Sequence, residues 1–401
     1  MSKRKRTSKK KRQYGGFDQA LLAIVIALLA CGLIVLYSAT FWIDLKFDRN
    51  FYGKQLLWVG VSLIVMLIMY FLPYTIWQRT ALLMMIGNLL LLVLVFIIKQ
   101  PKEDQIVRAL FRDSVQPGVL ARLVAVIYIA TWLTSRGDQL NRFSYGLFPF
   151  GIILGVVAGL VIMQPDLSTA LLIVATGLAM FFFAGGDPVQ IFLFSAIVGS
   201  VSGFLIWRGD YGRDRLMNYV ASLRDPAQAG HHLNMARLAI GEGGLFGAGF
   251  GEGRLKFGYL PFPHTDSVFA VVGEEGGLLG CLLVIGLFGL LAYRGYRVAL
   301  STSDPFGSLI AFGVTTMIVI EAMLNMLVMV GLFPFTGTAL PFFSYGGTQM
   351  LVTLGGVGLL LGISRGRPKG AFDEVLDRWW RNGRARLSRL IRRTGLTGYR
   401  A

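Results

Sequence analysis

At 401 residues, with 54% hydrophobic side chains, 15% charged and a mean hydropathy of +0.61, the chain is not composed like a soluble protein, whose domains carry about 25% charged residues. Its net charge of +17 sits at the ends: residues 1–14 hold eight Lys/Arg and no acid, and residues 365–401 hold eleven against Asp373, Glu374 and Asp377. Two basic tails around an apolar body argue against nucleic-acid binding and for cytoplasmic termini beside anionic lipid headgroups.

Hydropathy divides residues 18–365 into ten spans between a basic tail at 1–17 and a second at 366–401. Gln19–Ala39 is the first, long enough to span and so read as a retained helix and not a cleaved signal peptide. Leu56–Leu72, Ala81–Ile98 and Val119–Leu133 follow, then Leu147–Met163 and Leu167–Ala184, separated by Gln164-Pro165-Asp166. Val189–Trp207 is the seventh span. A long polar segment, 208–265, precedes Ser267–Tyr293, Phe306–Val330 and Met350–Ile363. The two cysteines, Cys31 and Cys281, lie inside apolar runs as packing residues. The expected fold is therefore an all-α integral membrane protein with ten transmembrane helices and a large extracytoplasmic loop between the seventh and eighth.

Ten is even, so both tails share a side, and the positive-inside rule makes it the cytoplasm. The 208–265 loop then faces out although it carries Arg208, Arg213, Arg215, Arg224, Arg237 and Arg254. Arginines outside need a reason, and an anionic ligand such as a lipid diphosphate is one.

The chain turns abruptly from polar to apolar at His264-Thr265-Asp266-Ser267. That places Asp266 at the lip of the bilayer, where a carboxylate is either a functional group or the N-cap of the next helix. Other polar residues expected on the same face are Gln164 and Asp166, Arg213 and Arg215, Lys256 and His264, and Thr336 with Ser344-Tyr345-Gly346-Gly347. Taken singly, such residues solvate loops and cap helices. Glu274 and Glu275, two turns into the eighth span, are costly unless paired with a buried cation.

The motifs QPDLSTA (164–170), AIGEGGLFGAGFG (239–251), KFGYLPFPHTDSVFAVVGEEGG (256–277) and GLFPFTGTALPFFSYGG (331–347), with Asp18 and GLIVLYSAT (32–40), resemble those of the SEDS family of bacterial cell-wall polymerases, in the same order and spacing. The resemblance covers about residues 18–365. It implies a ten-helix enzyme of the bacterial cytoplasmic membrane that polymerises lipid II into β-1,4 glycan strands on the outer face. A class B penicillin-binding protein, the crosslinking transpeptidase, is the implied partner. The family's essential acid falls on Asp266. Arg213, Arg215, Lys256, Gln164, Asp166, His264, Ser344 and Arg122 are carried as substrate-cavity residues. The chemistry agrees: the acceptor hydroxyl must lose a proton, which a carboxylate raised by partial burial can take. The expelled diphosphate must be neutralised, by arginine or by a divalent cation (Mg2+ or Mn2+) with Asp266 as its ligand.

The chain departs from the family in its fourth span. Where the family reads Gln-Pro-Ser-Glu-Leu-Ala-Lys, residues 116–122 read QPGVLAR, so Val119 replaces the acid and Arg122 the lysine. Arg122 loses a carboxylate three residues before it, a favourable ion-pair spacing; Asp113 or Asp166 is the expected substitute. The Ser-Ser after SYGG is Thr348-Gln349. Two other readings stay open: a transporter of lipid-linked precursor, which polar groups at mid-membrane depth would favour, and a non-catalytic scaffold of the elongation or division complex.

Overall fold

A chain in lipid must pair its own backbone groups, so long apolar runs fold as helices. The computed structural model describes residues 17–98, 115–141, 143–144, 146–208, 210–224 and 230–365. Its α-helices are α1 (Gln19–Phe47), α2 (Phe51–Phe71), α3 (Tyr74–Ile98), α4 (Pro117–Arg136), α5 (Leu147–Ile162), α6 (Leu167–Phe183), α7 (Pro188–Arg208), α8 (Asp210–Arg224), α9 (His231–Gly243), α10 (Val268–Ser301), α11 (Pro305–Met329) and α12 (Gly347–Ser364). Seven of them (α1–α4 and α10–α12) are long and apolar enough to cross a membrane, while α5 and α6 are apolar and shorter.

Local signals set the helix starts. Asp18 Oδ1 accepts from the Leu21 N–H at 3.0 Å, Asn50 caps α2 through the Gly53 N–H, and Asp304 caps α11 just ahead of Pro305, as short polar side chains do at N-termini. Several helices outrun their apolar stretches. The first continues through Asp44 and Lys46 to Phe47 and stops at Asp48, whose φ is 50°, because extending a formed helix costs little per residue.

The expected 208–265 loop contains α8 and α9. In α9, Leu233, Ala236, Ala239 and Gly243 are buried at helical spacing, and α9 packs on α10. That periodicity inside a polar segment is an amphipathic signal that hydropathy averaging conceals.

The centre of the bundle is α4, α11 and α12, while α1–α3 turn side chains such as Leu57, Ile64 and Leu83 outward. An apolar exterior of that extent suits lipid. Packing of α12 on α2 is close: a Cβ on Gly358 would stand 2.3 Å from the Met66 carbonyl oxygen, so only glycine permits that approach. At one end of the bundle, Arg294 Nη2 meets Asp18 Oδ1 at 2.5 Å, and the Asp18 N–H donates to Ser364 Oγ at 3.1 Å. The first and last described helices are thereby tied together.

The opposite end is built on a kink in α10. Gly277 has φ 61°, and the break frees the carbonyls of Glu274 and Glu275 to accept from the Ala248 and Gly249 N–H groups at 2.9 and 3.2 Å. Leu278 and Leu279 donate back to the Gly244 and Leu245 carbonyls. The glycine-rich stretch thus lies backbone against backbone on α10, and a Cβ at Gly277 would sit 2.4 Å from the Gly247 nitrogen.

Candidate active site

Two loops meet at that end: the one entering α10, with His264-Thr265-Asp266, and the one entering α12, with Ser344-Tyr345. Ser344 Oγ donates to the Thr265 carbonyl at 2.6 Å and accepts from the Leu340 N–H at 2.7 Å. The Tyr345 N–H donates to the His264 carbonyl at 2.7 Å. From α2, Gln55 Oε1 accepts from the Gly346 N–H at 3.1 Å. The two motifs are therefore one stitched unit.

Asp266 is half-buried. Ser267, not Asp266, occupies the cap position of α10, and it makes no side-chain cap bond. The Asp266 main chain is held by Asn325 Nδ2. Its carboxylate lies over Gly337: a Cβ built there would be 3.3 Å from Asp266 Oδ2. Gly337 has φ 67°, a conformation that favours glycine.

His264 packs on Phe51 with ring centroids 4.8 Å apart and faces Tyr345 at 6.1 Å. Burial lowers its pKa to about 4; Asp44 opposes this and Arg49 adds to it. The imidazole is neutral at pH 7. Burial raises the Tyr345 hydroxyl, with a smaller contribution from Asp44.

Asp166 and Arg122 come together at the start of α6. Asp166 Oδ1 accepts from the Thr169 N–H at 3.1 Å, and Arg122 Nη2 donates to Thr169 Oγ1 at 3.3 Å. Beside them, Ser168 Oγ donates to the Thr336 carbonyl at 2.5 Å, which connects α6 to the segment under Asp266. Gln164 is buried, and its Nε2 donates to the Leu92 carbonyl at 2.9 Å. Among the described residues, the carboxylate facing Arg122 is not Asp166, which caps α6. It is Glu321 on α11, joined by Gln349; Asp113 lies outside the described residues.

Lys256 is engaged elsewhere. It is buried, with Nζ 2.5 Å from Glu275 Oε1, 2.6 Å from Ser38 Oγ and 2.8 Å from the Gly251 carbonyl. Glu274 Oε1 accepts from the Arg254 and Leu255 N–H groups. Arg213 is exposed on α8 and stacks over Trp207, 5.2 Å from the ring centroid. The Arg215 side chain lies outside the described residues, as do the residues of both tails beyond 17–365.

The structure thus gathers Asp266, His264 and Ser344 directly and links Arg122 and Asp166 to them through α6. Sequence reasoning missed Asn325, Glu321 and Ser168, and also His232, whose ring stands 4.6 Å from Phe335 and 5.7 Å from Phe262. Glu321 and Asn325 were detectable: polar residues four apart in an apolar span share a face and are costly without partners.

The profile of the FtsW/RodA/SpoVE family, described as cell cycle protein, matches residues 19–369. The chain belongs to this family. Among similar proteins, Stage V sporulation protein E of Bacillus subtilis is 38% identical over 361 residues, covering 87% of this chain and 97% of that protein. The probable peptidoglycan glycosyltransferase FtsW of Geobacter metallireducens is 36% identical over 363 residues, with 88% and 96% covered. Among solved structures, a chain of a peptidoglycan synthase complex that coordinates polymerization and crosslinking superposes with a TM-score of 0.72 at 27% identity, covering 88% of this chain and 99% of that one. The rod shape determining protein RodA of Thermus thermophilus gives 0.65 at 28% identity, with 88% and 97% covered. This FtsW/RodA/SpoVE-family chain is accordingly a multi-pass bacterial membrane protein.

Proposed function

We propose that the chain is a peptidoglycan glycosyltransferase with ten membrane spans and both termini cytoplasmic, polymerising lipid II into β-1,4 glycan strands at the outer face. The observation that carries this reading is the half-buried Asp266 carboxylate, fixed at the mouth of the bundle by Asn325 and lying over Gly337. Asp266 takes the proton of the acceptor sugar hydroxyl as that oxygen bonds to the donor's anomeric carbon. The bond from that carbon to the diphosphate breaks on the opposite face, so the configuration inverts. One base suffices because the diphosphate is already a good leaving group. Neutral His264, clustered with Phe51 and Tyr345 two residues before Asp266, adds no competing charge there.

Among the described residues, no group of three or more His, Cys, Asp or Glu can hold a metal ion. A divalent cation would therefore have Asp266 as its ligand from this chain and diphosphate oxygens for the rest, a pattern that suits Mg2+. When bound, it would neutralise the diphosphate. Arg213, exposed on α8, is the arginine proposed for the same group. A class B penicillin-binding protein is the proposed partner, in keeping with the polymerizing and crosslinking complex that the fold matches.

Depth favours surface chemistry over transport. Arg122 lies five residues after Pro117, and Gln349 is in the first turn of α12. At ~1.5 Å per residue, Arg122 is only about 8 Å into its helix. The deciding experiment is polymerisation of labelled lipid II by purified protein with its partner, comparing wild type with Asp266→Asn. Glycan ladders from wild type alone support the reading; equal ladders from Asp266→Asn overturn Asp266 as the base.

A further inference from the structure

Arg122 is 7% exposed, Glu321 2% and Gln349 7%. Arg122 Nη1 donates to Glu321 Oε1 and, at 3.2 Å, to Gln349 Oε1, while Gln349 Nε2 donates to Glu321 Oε2 at 2.8 Å. Thr169 takes a fourth bond, from Nη2. Four helices, α4, α6, α11 and α12, meet in this cluster. Buried charges are tolerable only with such pairing, and removing one partner strands the other.

The cluster accounts for both departures of the chain. Val119 is buried and apolar, so the acid that a relative would place three residues before the cation is missing from α4. An acid instead reaches Arg122 from α11. Gln349, where the family has a serine, is long enough to join both charged groups, and Thr348 Oγ1 accepts from the Gln116 N–H at 3.1 Å just ahead of α4. We infer that Glu321 is the relocated counter-charge of Arg122 and a positioning residue for the reaction at Asp266.

Two connections carry the positioning. Glu321 and Asn325 lie four residues apart on one face of α11, and Asn325 holds the Asp266 carbonyl. On α6, Thr169 receives Arg122 while its neighbour Ser168 holds the Thr336 carbonyl, next to the glycine under the Asp266 carboxylate. A pair inside α4 would secure one helix; the pair between α4 and α11 fixes the helices that carry both sides of the mouth.

The inference rests on the polymerase reading, so the test pairs activity with folding. Wild type, Glu321→Gln, Glu321→Gln with Val119→Glu, and Arg122→Met with Glu321→Met are purified with the partner protein. Each is measured for kcat and KM on labelled lipid II and for melting temperature. Glu321→Gln is expected to lower kcat at least about tenfold with KM nearly unchanged, the sign of an interaction that matters in the transition state. Adding Val119→Glu, which restores an acid at the favourable spacing, is expected to return most of both kcat and melting temperature. The Met–Met variant replaces the buried pair by apolar volume and should fold, yet lose polymerisation. Full activity of Glu321→Gln or of the Met–Met variant overturns the inference, as does failure of Val119→Glu to restore either quantity. If wild type makes no glycan, the polymerase reading fails instead, and the charge relocation is judged on melting temperature alone: rescue by Val119→Glu supports it and no rescue overturns it.

Discussion

Asn325 holds Asp266 by its main chain: one amide, Nδ2, donates to the Asp266 carbonyl at 2.8 Å and to the Thr338 carbonyl at 2.6 Å. Asp266 is thus held through its main chain from α11, while its carboxylate Oδ2 lies over Gly337. Asn325 is fully buried, and the bond ties the entry of α10 to the loop before α12 without using the reactive group.

Replacing Asn325 by Leu keeps the volume and removes both bonds. Misplacing a catalytic group by about 1 Å costs on the order of 100-fold, so the polymerisation rate is expected to fall by roughly 10- to 100-fold with little change in KM for lipid II. Two carbonyls lose their donor, so stability should also drop, by about 1–3 kcal/mol. Steady-state kinetics and a thermal melt check both; an unchanged kcat would show that Asn325 does not position Asp266.

Lys256 separates a structural role from substrate binding. Lys256→Met strands the buried Glu275 carboxylate and is expected to destabilise by about 3–5 kcal/mol. Lys256→Met combined with Glu275→Leu removes both charges and should recover most of the melting temperature. If the double variant regains stability and polymerises normally, the Lys256–Glu275 pair with Ser38 secures the 251–256 loop on α1 and α10. A restored melt with a raised KM would assign Lys256 to substrate instead.

His264 has a pH signature. Its folded pKa, about 4, is below the reference value of 6.5, so the unfolded chain binds the proton first as pH falls. Its contribution is complete above pH 6.5 and is lost progressively as pH falls toward 4. His264→Gln should therefore flatten the fall in melting temperature between pH 6.5 and 5, a range chosen above most carboxylate titration. Parallel curves for wild type and variant would remove His264 as the cause.

The apolar helices were legible because lipid leaves an apolar run no alternative to helix, and the position of Asp266 just ahead of α10 followed from the abrupt change at Ser267. Partnerships were not legible. Arg122 finds its acid 199 residues away in the chain, where no spacing rule operates, although Glu321 alone in an apolar span already required a cation. Lys256 is polar and near the motif, yet its company is Ser38 and Glu275. Arg213 belongs to a helix that hydropathy read as loop, and the structure leaves it exposed beside Trp207. A list of polar residues by position does not say which are already neutralised.

The bond from the Asp18 N–H to Ser364 Oγ also bears on the tails, because it roots them at one point. The eight Lys/Arg of residues 1–14 and the eleven of residues 365–401 leave the bundle from adjacent anchors, so an acidic surface that captures one tail presents itself to the other at high local concentration. Two weak contacts joined this way act as one bivalent contact. Deleting either tail should then weaken binding to anionic vesicles far more than deletion of half the charge would suggest, and a loss merely proportional to charge would show that the two act separately.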